Sequence, residues 1–197
     1  MAAKSLDKDY WDDRYRKGEA GWDIGYVSTP LKEYIDQLEN KNISILIPGC
    51  GNAHEAAYLL EKGFTNITLI DISVMAAEAV KEKFAVYGAK LKVILGDFFE
   101  LQQKFDLILE QTFFCALDPG LRTNYAEKMY DLLKQNGKLV GLLFNRSFDD
   151  SPPFGGNKEA YMNLFAPLLD IVTMAPAYNS IERRMGTELF FIARKGK

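Results

Sequence analysis

A glycine-rich run and a following aspartate stand where a nucleoside ligand would be held. The run IPGCGNA, residues 47–53, follows branched apolar residues, and its Gly49 and Gly51 let the backbone approach a ligand without a Cβ in between. A helix beginning after this run would offer unpaired N–H donors to a carboxylate or a phosphate. Asp71 closes the next apolar stretch, 22 positions after Gly49, where a carboxylate accepts hydrogen bonds from both ribose hydroxyls. The spacing predicts a site for a nucleoside-containing cofactor, with Ile72 beside Asp71 as part of it.

The residue at position 54 discriminates between cofactors. A dinucleotide fingerprint has a third glycine there, so that the helix packs closely beneath a pyrophosphate, and this chain has His54 instead. The imidazole favours a cofactor without a pyrophosphate, such as S-adenosylmethionine. A dinucleotide-dependent oxidoreductase stays the alternative, because the glycine turn and Asp71 suit both cofactors.

The segment GDFFE, residues 96–100, follows the third apolar stretch and is expected to face the same crevice. Asp97 is placed to accept a hydrogen bond from the adenine amino group. Phe98 or Phe99 would cover the face of the adenine ring. One of these two phenylalanines is expected to be ordinary core.

The sequence offers few groups for acid–base or metal chemistry. Its one histidine, His54, falls in the helix after the glycine turn, and its two cysteines, Cys50 and Cys115, are too far apart for a metal or redox pair motif. We therefore assign no catalytic residue and no metal ligand. Methyl transfer from S-adenosylmethionine agrees with this composition, because an in-line displacement requires alignment and exclusion of water more than a strong base.

Strands and helices that alternate along the chain would position these residues. Strands are predicted at 43–47, 66–71, 91–95, 105–109 and 138–144, with two more in IVTMA and ELFFIAR. Helices are predicted at 53–63, 73–88, 124–137 and 159–169. Several strands are continuously apolar, as strands covered on both faces are. The pattern predicts an α/β fold of the Rossmann-like, doubly wound kind, with a mostly parallel seven-stranded sheet and helices on both faces.

The length and the lack of a linker-like stretch predict a single domain over residues 1–197. Residues 41–197 would form its α/β core. Residues 1–40 differ, because they contain two polar helical segments around the glycine-containing stretch GEAGWDIGYVSTP. We expect this N-terminal segment to lie over the edge of the sheet as a helical lid.

The composition excludes several classes of protein. With 48% hydrophobic residues the chain can bury a sizeable core. The net charge of −3, with acidic and basic residues interleaved, argues against a nucleic-acid partner. No apolar stretch approaches the length of a membrane span, and the charged first residues argue against an export signal. These features predict a cytoplasmic protein that acts on a small molecule, without a membrane partner. The oligomeric state stays open, and a monomer agrees with the sequence.

Six longer segments carry more specific information than the glycine turn. They are YWDDRYRKGEAGWDIG (10–25), LIPGCGNAHEAAYL (46–59), LIDIS (69–73), GDFF (96–99), FDLILEQTFFCALDPGLR (105–122) and SPPF (151–154). Together they resemble the thiopurine S-methyltransferase-like family, which includes plant-type halide and thiol methyltransferases. The resemblance spans nearly the whole chain. It implies a methyltransferase that uses S-adenosylmethionine and acts on a small soft nucleophile, such as a thiol, a thiopurine, a halide or a thiocyanate-like anion.

Carried over by position, the resemblance implies roles for individual residues. Cofactor contacts would come from Trp11, Tyr15 and Trp22 above the ligand, Gly49 and Gly51 beneath its methionine part, Asp71 at the ribose, Asp97 and Phe98 at the adenine, and Gln111 at the methyl-donor end. Contacts with the methyl acceptor would come from Phe114, Arg122 and Phe154.

The chain departs from the family pattern near the acceptor end. Tyr15 stands where halide-using relatives tend to have tryptophan, and Ser151 replaces a glycine before the paired prolines. Glu110 and Gln111 replace an Asp-Tyr pair. These differences leave the cofactor prediction intact and the identity of the acceptor open. A non-catalytic module that binds S-adenosylmethionine is therefore a further alternative.

Overall fold

The computed structural model describes residues 6–149 and 151–196, so the first five residues of the predicted N-terminal segment lie outside the described residues. The helices are α1 Lys8–Arg16, α2 Thr29–Asp36, α3 His54–Glu61, α4 Val74–Lys83, α5 Arg122–Leu132 and α6 Lys158–Phe165. The strands are β1 Ile45–Pro48, β2 Ile67–Asp71, β3 Leu91–Leu95, β4 Phe105–Gln111, β5 Leu133–Phe144, β6 Asp170–Pro176 and β7 Glu188–Arg194.

The seven strands form one sheet in the order β3-β2-β1-β4-β5-β7-β6. The first five strands in this order pair in parallel, and β7 pairs antiparallel with both β5 and β6. The chain order reverses between β1 and β4, which opens a crevice at the carboxyl ends of these strands. The predicted doubly wound, mostly parallel sheet of seven strands is confirmed.

Two apolar clusters cover the two faces of the sheet. One contains Tyr125 and Met129 of α5 and Phe165 of α6. The other contains Leu31 of α2 and Leu59 of α3, together with residues of α4. Because β1, β2 and most of β4 are buried on both faces, these strands are mostly apolar, which is why the sequence predicts them so clearly.

The predicted helix over 124–137 is wrong at its C-terminal end. The helix α5 ends at Leu132, and Leu133 already takes an extended backbone that pairs with Phe105 of β4. Asn136 then turns the chain in the left-handed region, with φ of +64°. A Cβ on Gly137 would lie 3.0 Å from the carbonyl oxygen of Phe105. The Asn-Gly pair therefore turns the chain within β5 and does not end a helix.

The two N-terminal helices have different surroundings. Leu31 and Ile35 of α2 are fully buried in the core, since their i, i+4 spacing gives this otherwise polar helix an apolar stripe. The helix α2 is thus part of the layer that covers the sheet. Residues of α1 and of the loop up to Tyr26 instead line the crevice.

Candidate active site

A cavity of about 520 Å³ lies at the carboxyl ends of the central strands. Its walls come from the stretch between residues 6 and 26, from the turn at 47–55, from the strand ends at 70–72 and 96–99, and from residues 111–117 after β4. Its far end is formed by Phe144, Arg146, Phe148, Pro152, Pro153, Arg183, Arg184 and Thr187. Of the residues predicted to contact a cofactor, all ten line this cavity: Trp11, Tyr15, Trp22, Gly49, Gly51, Asp71, Ile72, Asp97, Phe98 and Gln111.

Gly49 and Gly51 both take left-handed backbone conformations, with φ of +56° and +49°. A Cβ on Gly49 would lie 2.3 Å from Cδ2 of Phe113, and a Cβ on Gly51 would lie 3.1 Å from the hydroxyl oxygen of Tyr15. Aromatic side chains of the protein itself therefore pack closely against both glycines of this turn. A larger residue at position 49 would displace Phe113.

Asp71 joins the glycine turn to the start of α4. Its side chain is buried, and Oδ2 accepts a hydrogen bond of 3.0 Å from the backbone N–H of Gly51. Oδ1 accepts one of 2.9 Å from the backbone N–H of Ser73. Burial raises the pKa of Asp71, and the two N–H donors oppose that rise. Since each carboxylate oxygen has two lone pairs, both oxygens retain an acceptor site for a ligand hydroxyl.

The adenine end predicted from the sequence has one polar and two aromatic side chains. Asp97 is exposed, and its Oδ1 accepts a hydrogen bond of 2.8 Å from the backbone N–H of Phe99. Phe98 is buried in the core, with its ring centroid 5.3 Å from that of Phe99. Both rings reach the cavity wall, so the core and lining roles are shared rather than divided between them.

Three aromatic residues of the N-terminal stretch pack edge to face above the glycine turn. The ring centroid of Trp22 lies 5.6 Å from that of Trp11 and 5.7 Å from that of Tyr15. Burial raises the pKa of Tyr15, and the nearby charge of Asp71 raises it further, so its phenol stays protonated. This aromatic group forms an apolar cover for the crevice.

Asp12 ties this cover to the N-terminus of α4. Its Oδ1 accepts hydrogen bonds from the hydroxyl of Ser73 at 2.6 Å and from the backbone N–H of Met75 at 3.1 Å. Lys8 lies 3.3 Å from Oδ2. Burial alone would raise the pKa of Asp12, but these hydrogen bonds outweigh it and the pKa is lowered. The sequence analysis did not single out Asp12, since its hydrogen-bond partners Ser73 and Met75 lie 61 and 63 positions away.

Asp23 forms a second tie, between the cover and the start of α3. Its Oδ1 lies 2.8 Å from Nε2 of His54, and its Oδ2 contacts Nδ2 of Asn52. Burial would raise the pKa of Asp23, but the donors from Asn52, the backbone of Gly25 and His54 lower it overall. His54 thus contacts the N-terminal stretch through Asp23. It stands at the position where a dinucleotide-binding turn has glycine.

The far end of the cavity contains a buried arginine. Arg184 is 7% exposed, and its Nη2 donates a hydrogen bond of 2.7 Å to the carbonyl oxygen of Trp22. Its Nη1 lies 3.4 Å from Oε1 of Glu188, whose pKa is raised by burial. The guanidinium also lies 5.6 Å from the ring centroid of Phe144. Arg146, over the ring of Phe148 at 4.6 Å, adds a second cation to this end.

The structure places none of Phe114, Arg122 and Phe154, the residues that the resemblance assigns to the acceptor, along the wall of the cavity. Phe114 is buried in the core. Arg122 donates from Nη2 to the carbonyl oxygen of Gly155 at 2.7 Å, with its guanidinium 4.8 Å from the ring centroid of Phe114. Phe154 donates its backbone N–H to the carbonyl oxygen of Cys115 at 2.7 Å. These residues instead pack behind the wall, and of the two adjacent phenylalanines it is Phe113 that lines the cavity.

Gln111 and the two cysteines complete the wall. Oε1 of Gln111 accepts a hydrogen bond of 2.9 Å from the hydroxyl of Ser28. Cys50 and Cys115 are free, buried thiols whose pKa values are raised by burial, so neither is a thiolate near neutral pH. Within residues 6–149 and 151–196, no group of three or more His, Cys, Asp and Glu side chains is placed to hold a metal ion. None of the helices in this part of the chain is long and apolar enough to cross a membrane.

The sequence of the chain is similar to those of known proteins. Residues 6–188 match the family described as Thiopurine S-methyltransferase. The chain is 33% identical over 165 residues to "Probable thiol methyltransferase 2" of Arabidopsis thaliana, covering 80% of this chain and 72% of the relative. It is 28% identical over 194 residues to "Thiocyanate methyltransferase 1" of Brassica oleracea, covering 94% and 84%.

A solved structure with the same fold is the 1,6-didemethyltoxoflavin-N1-methyltransferase of Burkholderia thailandensis, which contains bound 1,6-didemethyltoxoflavin and S-adenosylhomocysteine. It superposes with a TM-score of 0.79 at 17% identity, over 96% of this chain and 87% of that one. At this identity the likeness concerns the fold alone. The sequence matches, which run through the aromatic cover, the glycine turn and the strand ends, show that the chain belongs to the thiopurine S-methyltransferase family.

Proposed function

We propose that this protein transfers the methyl group of S-adenosylmethionine to a small, soft nucleophile within the cavity. The observation that carries the proposal is the position of Asp71. Its carboxylate stands at the end of β2, bonded to the N–H groups of Gly51 and Ser73, and faces a cavity large enough for a nucleoside ligand. This is where a doubly wound sheet binds the ribose of its cofactor.

The residues present fit S-adenosylmethionine along the length of the cavity. The backbone at Gly49 and Gly51 would hold the methionine part, and Asp71 with Ile72 the ribose. The exposed carboxylate of Asp97 would accept from the adenine amino group, beside the rings of Phe98 and Phe99. The aromatic cover formed by Trp11, Tyr15 and Trp22 would exclude water from above, and Gln111 would line the methyl-donor end.

His54 supports this cofactor over a dinucleotide. His54 begins α3, and its imidazole contacts Asp23 of the N-terminal stretch. The imidazole therefore fills the space that a third glycine would leave beside a pyrophosphate. A nicotinamide dinucleotide would have to break this contact. A sulfonium cofactor with an amino-acid carboxylate in place of the pyrophosphate would not.

When bound, S-adenosylmethionine supplies an electrophilic methyl group for an in-line displacement. The chain's own residues then align the acceptor and exclude water. A strong base is not required, because a thiol with a pKa of about 8.5 is already partly ionised near neutral pH.

The far end of the cavity supports an anionic or strongly polarisable acceptor. Arg184 and Arg146 bring positive charge there, and the rings of Phe144 and Phe148 bring apolar, polarisable surface. Thiolates, thiopurine anions, halides and thiocyanate share both properties. Two of the relatives are described as thiol and thiocyanate methyltransferases, which supports the same class of acceptor.

The proposal extends to where the protein acts and on what. Unpaired cysteines agree with the reducing cytoplasm, and the net charge of −3 agrees with a small-molecule acceptor rather than a nucleic acid. We also propose that α1 and the loop up to Tyr26 act as the lid of a single-domain enzyme. Asp12 and Asp23 are its anchoring residues.

A methyl-transfer assay with labelled donor tests the proposal. The acceptor panel contains an aliphatic thiol, a thiopurine, thiocyanate, iodide and an oxyanion of selenium. We expect transfer to at least one of these acceptors, and no transfer by Asp71→Ala. The exposed variant Asp131→Ala serves as the matched control and should retain the activity of the native protein. Binding of S-adenosylhomocysteine without transfer to any acceptor would identify a non-catalytic binding module instead.

A further inference from the structure

The chain turns sharply at the end of β4, and a buried carboxylate lies inside this turn. Glu110 is completely buried. Its Oε1 accepts hydrogen bonds from the backbone N–H groups of Phe113 at 2.8 Å and Phe114 at 3.0 Å, and its Oε2 accepts one of 2.5 Å from the hydroxyl of Tyr125. Thr112, within the turn, takes a left-handed backbone with φ of +59°. The carboxylate thus supplies partners for N–H groups that the sheet no longer pairs.

The turn decides which of two adjacent phenylalanines enters the cavity. Phe113 lines the cavity and packs over Gly49, whereas Phe114 is 1% exposed and packs against Tyr125, with ring centroids 4.9 Å apart. Both residues bond through their backbone N–H to the same oxygen of Glu110. A change in that pair of bonds would rotate the segment and change which ring faces the cavity.

The neighbouring strand leaves room for this carboxylate. Gly141 of β5 is the register partner of Glu110. A Cβ at Gly141 would lie 2.4 Å from the Cβ of Glu110. Glycine weakens the interior of a strand, so a glycine here indicates a close approach that the packing requires.

We propose that Glu110 is a positioning residue that, as a carboxylate, sets the turn over 111–115 and thereby the wall at which the methyl group meets its acceptor. Glu110 does not line the cavity. It acts through Phe113 and through the other wall residues of the turn, Gln111, Thr112 and Cys115. The link to methyl transfer rests on the proposed function, whereas the control of the turn rests on the three hydrogen bonds alone.

The protonation state of Glu110 provides a readout of this role. Burial raises its pKa to about 7, although Tyr125 and the two N–H donors lower it. The ionised carboxylate accepts all three hydrogen bonds, while the neutral acid carries a proton on one oxygen and accepts fewer. The titratable groups next to it are Tyr125 of α5 and Cys115 of the turn, and burial raises the pKa of each, so both stay neutral over the same range.

The first test follows the backbone N–H signals of Phe113 and Phe114 by NMR in isotope-labelled protein as the pH is varied. We expect both signals to titrate together with a midpoint near pH 7. Glu110→Gln should abolish the titration, and Glu127→Gln, on the exposed face of α5, should leave it unchanged. Tyr125→Phe should move the midpoint to higher pH, because the lost hydroxyl favours the ionised form.

The second test separates positioning from a general loss of structure. In Glu110→Gln, kcat should fall by about tenfold while the Kd for S-adenosylhomocysteine changes by less than about threefold, since the adenosyl contacts lie elsewhere. Glu110→Asp keeps the charge, should keep the titration with an intermediate kcat, and replaces the glutamine variant if that variant does not fold.

Two results would overturn the proposal. One is that the N–H signals of Phe113 and Phe114 respond neither to pH nor to Glu110→Gln. The other is an unchanged kcat in a variant whose N–H signals have moved. If the protein binds no S-adenosylhomocysteine, the proposed function fails, and the titration of the turn still decides the role of Glu110.

Discussion

The carboxylate of Asp12 in α1 accepts a 2.6 Å hydrogen bond from the hydroxyl of Ser73, the residue that caps the N-terminus of α4. Ser73 also donates its backbone N–H to Asp71. The anchor of the aromatic cover and the carboxylate proposed to hold the ribose therefore meet at one residue. Movement of the cover and occupancy of the ribose site should be coupled through Ser73.

Loss of the hydrogen bonds of Asp12 should weaken cofactor binding more than it lowers the free energy of unfolding. Asp12→Asn keeps one acceptor but removes the charge that faces Lys8 and the N-terminus of α4. We expect the Kd for S-adenosylhomocysteine to rise by about five- to tenfold, which corresponds to about 1 kcal/mol for a charged hydrogen bond. Calorimetry measures this. Asp9→Asn, on the exposed side of the same helix, is the matched control, and an equal effect in both variants would refute the anchoring role.

Gly49→Ala should disrupt the floor of the cavity. The substitution places a Cβ against the ring of Phe113 in addition to the strain of a left-handed backbone, and the two effects together should cost about 2–4 kcal/mol. Gly63→Ala is the control, because Gly63 has φ of +86° and open space around it, so only backbone strain applies. Adding Phe113→Ala to Gly49→Ala should recover part of the loss in urea unfolding. No recovery would mean that Phe113 is not the obstacle.

Arg184→Met should impair both stability and acceptor binding. It leaves Glu188 buried without its cation, which typically costs about 3–5 kcal/mol, and it removes the bond to the carbonyl oxygen of Trp22. The double variant Arg184→Met with Glu188→Gln should regain most of the stability but keep a raised KM for an anionic acceptor. Unfolding and steady-state kinetics separate the two effects. Recovery of KM in the double variant would show that Arg184 does not serve the acceptor.

Acid should weaken cofactor binding through Asp71. Burial raises the pKa of Asp71 above its usual value of 3.8, so the carboxylate becomes protonated earlier than an exposed one as the pH falls. The protonated form has fewer acceptors for the ribose hydroxyls, and the affinity for S-adenosylhomocysteine should decrease through that pKa. The free energy of unfolding changes with pH in the opposite direction. The folded protein binds this proton more tightly than the unfolded chain, so the contribution of Asp71 to the free energy of unfolding decreases as the pH rises from 3.8 through the raised pKa.

Asp71→Asn provides the comparison for the acid effect. It should abolish this pH dependence of both the affinity and the stability, since the amide does not titrate in this range. Calorimetric titrations over a series of pH values, paired with unfolding curves, measure the two together. A pH dependence that persists in Asp71→Asn would assign it to another group.

Most of the fold was predictable because its signals are local. Strands such as Ile67–Asp71 are buried on both faces and mostly apolar, and Ser73 caps α4 as its residue type predicts. The meeting of the predicted cofactor residues at one cavity was predictable in the same way, since Gly49 and Asp97 follow parallel strands, Asp71 ends one, and the parallel strands all end at one edge of the sheet. The end of α5 was not predictable in this way, because the pairing of Leu133 with Phe105 competes with the helix only once the sheet has formed.

The parts of the site that the sequence analysis missed depend on distant contacts. Arg184 meets Trp22 across 162 positions of the chain, and Asp12 meets Ser73 across 61. Which of Phe113 and Phe114 lines the cavity depends on the left-handed backbone at Thr112. A β-branched residue does not favour this conformation, so the residue type did not indicate the turn. Gly141 was the available signal, since a glycine within an apolar strand indicates a close approach, here by Glu110.

Calorimetric titration with S-adenosylhomocysteine tests the central claim most directly. The native protein and the exposed control Asp131→Ala should bind one molecule per chain with similar affinity, and Asp71→Ala should bind at least about tenfold more weakly, the effect of losing a buried charged acceptor. A nicotinamide dinucleotide should give no binding heat. The account is contradicted if S-adenosylhomocysteine does not bind, or if Asp71→Ala binds it as tightly as the native protein does.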